Sequence, residues 1–96
     1  MSRGARRAAS EYGVVLGDEA VTVSTAAVGL TVPAGALQAL VTNGASAIRV
    51  RWGTPTSTVG HYLNPRSAME IFNSMDDLQF IRAGAVDSTI HVTYFG

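Results

Sequence analysis

The sequence predicts an all-β domain of about seven or eight short strands, a sandwich or a small barrel. Apolar residues alternate with polar or small ones in short runs. Gly, Pro and Asn turn signals recur at a spacing of roughly 8–12 residues. No stretch carries the sustained 3.6-residue apolar period of a long helix.

Taken in order, residues 1–19 read as a basic N-terminal extended arm and lead-in. Three of the seven arginines, Arg3, Arg6 and Arg7, stand there, and Arg6-Arg7-Ala8-Ala9 lacks an apolar stripe. Residues 20–96 read as the sandwich domain. Val21 and Val23 alternate with Thr22 and Ser24, and Val28, Leu30 and Val32 alternate with Gly29 and Thr31 until Pro33 ends the run. Ala36–Thr42 is more continuously apolar and fits a buried strand or a short helix; Asn43-Gly44 is a turn signal. Ala47–Trp52 is the clearest strand. Ile48, Val50 and Trp52 share one face, which makes Trp52 a core residue, while Arg49 and Arg51 share the other. Thr58–Leu63, Ala68–Phe72 and Leu78–Ala83 follow, separated by Asn64-Pro65 and by the polar turn Asn73–Asp77. Thr89–Phe95 closes the chain.

Composition narrows the function classes. With 96 residues the chain forms one domain with a small core, for which docking or oligomerisation is a natural source of stability. The formal net charge is zero, and beyond residue 7 four arginines face seven carboxylates. Such a body lacks the cationic excess that general nucleic-acid binding requires. There is no Cys, hence no disulfide, thiolate metal site or Cys nucleophile. The first ten residues are charged without an apolar core behind them, so no secretory signal is expected, and no apolar run is long enough to span a membrane.

Candidate chemistry is sparse. His61, Glu70 and His91 are the residues whose types match a two-His, one-carboxylate metal site, but the His-x-His pair of a cupin is missing. Asp76-Asp77 is better read as a polar turn than as an acid/base pair. Arg49 and Arg51 are expected to pair across strands with Glu70 or across a subunit interface. Trp52, with Tyr62 near it in sequence, has a second reading as a sugar platform. No catalytic, metal or cofactor role is therefore assigned.

Several stretches carry a resemblance: Ala39–Thr42, Ala47–Arg51, Gly53–Thr56, Gly60–Leu63, Asp77–Ala85 and Ser88–Phe95. In this order they resemble small proteins encoded in tailed-bacteriophage structural gene clusters, some of which look like capsid decoration (cement) proteins. The arm lies outside the resemblance, and Asn64-Pro65-Arg66-Ser67 departs from the Gly-rich polar turn expected there. The resemblance implies a jelly-roll-like β-sandwich, a trimer on the exterior of a virion, and the major capsid protein as partner. It implies a structural role without enzymatic activity, cofactor, nucleic acid or membrane. Arg3, Arg6, Arg7, Tyr12, Arg49, Arg51 and Arg66 are the candidate interface residues. Two other readings are a head–tail connector or other vertex component, and a carbohydrate-binding host-recognition module.

Overall fold

Alternation in the chain becomes eight strands in the computed structural model, which describes residues 13–96. They are β1 (Val15–Val23), β2 (Val28–Gly29), β3 (Gln38–Thr42), β4 (Ile48–Trp52), β5 (His61–Leu63), β6 (Ala68–Ile71), β7 (Leu78–Arg82) and β8 (Ser88–Phe95). Each of β1 to β4 pairs antiparallel with its mirror image in the chain: β1 with β8, β2 with β7, β3 with β6 and β4 with β5. The pattern is one long hairpin rolled up on itself. Closure comes from β3 against β8 and β4 against β7, which yields two sheets ordered β1-β8-β3-β6 and β2-β7-β4-β5. This nested pairing is the jelly roll, the double-sheet solution to exposed strand edges.

The predicted strands match the observed ones with three differences. First, β1 begins at Val15, within the stretch assigned to the lead-in. A register shift between Val15 and Gly17 breaks the alternation there and hides the strand from a period-2 reading. Second, β2 is two residues long, although Leu30 and Val32 still pack on the core. Thr31 N–H is taken by the Glu19 carboxylate at 2.9 Å instead of by a strand, and Pro33 has no N–H to offer. Third, the polar turn before β7 contains a short 3-10 turn, Met75–Asp77, whose Met75 is buried. Of the two readings of Ala36–Thr42, the strand is observed. The arm lies outside the described residues.

The inner faces form one core of Val23, Ala39, Val41, Ile48, Val50, Ile71, Met75, Leu78, Phe80, Ile90, Val92 and Tyr94. The central strand β8 shows the cause most plainly: from Ser88 to Tyr94 every second residue is buried. Most of these side chains are β-branched, which suits a pleated surface and a thin core. Only Phe80 and Tyr94 among them are aromatic.

A polar hub closes one end of the sandwich. Asn43 and Ser88 are the buried polar residues of the described chain. Ser88 Oγ donates to Asn43 Oδ1 at 2.8 Å. Asn43 Nδ2 donates to the carbonyls of Ser46 (2.8 Å), Asn64 (3.0 Å) and Leu63 (3.3 Å). Asn43 N–H reaches Ser67 O, and Arg66 N–H reaches Gly44 O, both at 2.8 Å. The next residue must be small: a Cβ on Gly44 would lie 2.6 Å from the Thr89 carbonyl oxygen. Beside the hub, Asp87 Oδ1 accepts from Ser24 Oγ (2.8 Å) and Arg82 Nη1 (2.7 Å), tying the β7–β8 turn to the end of β1.

Truncating Asn43 strands a buried hydroxyl and several carbonyls at once. Asn43→Ala is expected to lower the unfolding free energy by about 3 kcal/mol, and Ser88→Ala by about 1 kcal/mol, with the denaturant slope unchanged. Urea unfolding followed by far-UV circular dichroism measures both, and a loss below about 0.5 kcal/mol for Asn43→Ala would contradict the hub.

Candidate interaction surfaces

Of the interface residues expected from sequence, Arg3, Arg6, Arg7 and Tyr12 lie outside the described residues. Arg49 and Arg51 do lie on the outer face of β4, but their neighbours differ from those expected. The strands beside β4 are β5 and β7, whereas Glu70 sits on β6 of the other sheet, so the cross-strand pairing with Glu70 is not formed. Both guanidinium groups instead hold the β4–β5 loop. Arg49 donates to Ser57 O (3.3 Å) and Gly60 O (3.2 Å) and lies 4.9 Å from the centroid of the Tyr62 ring. Arg51 donates to Thr54 O at 3.0 Å. Pro55 is fully buried beneath that loop, and Thr56 and Val59 close its tip as a two-way backbone bridge. Arg66 is exposed in the β5–β6 turn at φ 61°, a left-handed conformation that is uncommon for a residue with a side chain. Arg66 therefore stands apart from the Arg49–Arg51 pair.

The metal-like trio is likewise dispersed. His61 starts β5 in one sheet, while Glu70 and His91 belong to β6 and β8 of the other. His91 Nε2 lies 3.9 Å from Asp18 Oδ2 on the exposed outer face. Among the described residues no group of three His, Cys, Asp or Glu side chains converges.

Two surfaces bear most directly on binding. The first surrounds the start of β1, where the arm joins the body. Val14, Val15, Leu16 and Leu37 are exposed there, and Val14 and Gly96 exchange backbone hydrogen bonds. The side chains of Leu16, Asp18, Glu19, Thr31, Pro33 and Tyr94 line an adjacent cleft of about 300 Å³. Its rigid element is Glu19 Oε2, which accepts from both the Tyr94 hydroxyl and Thr31 N–H. Burial pushes the Tyr94 phenol well above its ordinary value, and the hydrogen bond and charge of Glu19, with the charge of Asp76, push it in the same direction.

The second surface lies at the β5–β6 side, across both sheets from β1 and β2. Trp52 is the correction here. It keeps the inward parity of Ile48 and Val50 yet is 44% exposed. It is the last residue of β4, where the strand gives way to the turn at Gly53. Its ring meets His61 edge-on, with centroids 6.3 Å apart and planes at 78°. Tyr62 and Phe72 are also exposed on this side. Periodicity gives the face on which a residue points but not where the strand ends, and for that reason the sequence placed Trp52 in the core.

The titration of Tyr94 sets an alkaline limit. Its folded value lies above its unfolded value of about 10, so the native state holds the proton longer and stability falls as pH rises beyond about 10. In thermal melts above that pH, Tyr94→Phe should show a flatter decline than the parent chain; parallel declines would contradict the Tyr94–Glu19 assignment. Asp87 acts at the other limit. Hydrogen bonds from Ser24 and then Arg82 hold its carboxyl below the ordinary range, so its contribution is present above pH about 4 and lost on further acidification.

No protein-family model, no curated protein and no solved structure matches this chain.

Proposed function

We propose that the chain is a non-enzymatic virion structural protein that decorates a bacteriophage capsid. It binds major capsid protein subunits from outside, as a homotrimer, and cements neighbouring subunits together. The observation that carries this reading is the exposure of Val14, Val15, Leu16 and Leu37, at the starts of β1 and β3 on either side of Phe95, next in the chain to the basic segment. Scattered exposed apolar residues need no explanation, whereas four at neighbouring strand starts are suited to a protein neighbour. Burying such side chains contributes on the order of 1 kcal/mol or more apiece before the costs of association.

The jelly-roll pairing supports a passive role, because the described polar side chains on the loops at the Asn43 end, and the β4 arginines under the β4–β5 loop, mostly hold backbone. The arm's arginines supply the second element of attachment, through acidic groups on the shell. Each protomer alone would bind weakly. Three joined protomers facing repeated capsid subunits would bind far more tightly through effective concentration.

Co-sedimentation of the full chain with empty shells tests the reading. Val15→Asp with Leu37→Asp, and separately the replacement of Arg3, Arg6 and Arg7 by Ser, should each weaken shell binding by about tenfold or more. Unchanged far-UV circular dichroism would show that the body stays folded. Wild-type binding by both variants would overturn the proposal.

A further inference from the structure

The geometry points to a second binding site, for a neutral pyranose sugar, at Trp52. The site lies on the β5–β6 side, away from the arm, and stands independently of the capsid reading. Trp52, Asn73, Ser74 and Asp77 line a cleft of about 360 Å³ beside His61. That size is at the small end of the roughly 300–1,000 Å³ typical of small-molecule sites. It is suited to one or two sugar rings rather than to an extended chain.

Four features favour a sugar. The indole is open to solvent although its strand parity points it inward, which gives an apolar platform for the C–H face of a pyranose. The polar groups beside it are not engaged elsewhere. Ser74 stands at the N-cap of the 3-10 turn, the position where a serine hydroxyl ordinarily caps, yet its side chain makes no capping bond. Among the described residues no hydrogen bond engages the Asn73 amide or the Asp77 carboxylate. These groups offer both donors and acceptors, as sugar hydroxyls require.

The turn that presents them is fixed by its backbone. Asp77 N–H donates to Ser74 O at 3.0 Å, and Gly53 N–H donates to Asp77 O at 2.9 Å, locking the turn to the end of β4. Ser74 is held at φ 53°, ψ 34°, a left-handed conformation that costs energy for serine. Strain kept in a rigid turn that presents unengaged polar groups is the arrangement expected of a preorganised site. The sign of the charge selects the ligand. Asp77 lines the cleft, Asp76 is its neighbour in the chain, and no arginine lines the cleft, so sialic acids and sulfated sugars are disfavoured and neutral hexoses favoured.

The chain has a single tryptophan, so its emission reports this cleft. The full chain is titrated with methyl glycosides of glucose, galactose, mannose and N-acetylglucosamine, and screened in parallel on a glycan array. The expected result is a saturable blue shift with at least one neutral glycoside and array binding confined to neutral glycans. Trp52→Ala should reduce array binding by about tenfold or more, and Asp77→Ala or Ser74→Ala by about threefold or more. Tyr62→Ala, on the opposite face of the same sheet, should leave binding unchanged. The proposal is overturned by the absence of any shift and any array signal, by glycan binding that survives Trp52→Ala in a chain with native circular dichroism, or by preference for anionic glycans. An emission shift that follows protein concentration without sugar would assign the cleft to a second copy and overturn it equally.

Discussion

The fold depends on a single buried amide. Asn43 stands where the chain leaves β3 to cross to the other sheet, and its side chain reaches the β3–β4 turn, the β5–β6 turn and the first residue of β8. Two crossings between the sheets and the start of the longest inner strand are thereby tied at one point. Apolar packing alone does not choose among the registers of short valine-rich strands, because a slip of two residues keeps every side chain on its face. A buried amide with four partners is satisfied in one register only. The hub therefore supplies specificity that a thin core of β-branched side chains lacks.

With one end fixed in this way, most of the exposed large apolar side chains lie away from it, although Val86 in the β7–β8 turn does not. At the hub end, Asn43, Ser67 and Ser88 hold backbone or one another, and Asp87 holds Ser24 and Arg82. On the outer face of β4, Arg49 and Arg51 do the same for a long loop. At the other end, Val14, Val15, Leu37, Trp52 and Phe72 remain exposed, and Ser74 and Asp77 keep free polar atoms beside the indole. Binding surfaces are to be sought where the fold has left groups without internal duties. The apolar group beside the arm fits a protein neighbour, and the Trp52 cleft at the far edge fits a small polar ligand. A decoration protein seated by its arm side would leave that cleft facing outward.

Much of this fold was legible from alternation. The strands around Ile48–Val50, Phe80 and Ile90–Tyr94 show the period of two with little interruption, and turn signals such as Asn43-Gly44 and Asn64-Pro65 fall between strands as expected. The rolled-up pairing was expected only from the phage resemblance, since strand spacing alone allowed a barrel as well. What escaped has physical reasons. The bulge near Gly17 hid the first part of β1. Asn43 could be read only as a turn residue, because its role rests on partners 20 to 45 positions away. The duties of Arg49 and Arg51 depend on a loop folding back over the strand, which no local pattern records. Of the candidate site, Trp52 carries an alternative reading as a sugar platform, but its exposure depends on its place at the very end of β4, which period alone does not give.

The central claim is that this chain covers a shell as a repeated structural subunit. Counting its copies per particle, by electron cryomicroscopy of the purified virion with quantitative mass spectrometry, tests that claim most directly. Density following the capsid lattice, with copies in the hundreds, is the expected result. Six or twelve copies confined to one vertex or to the tail would contradict it and establish a connector instead.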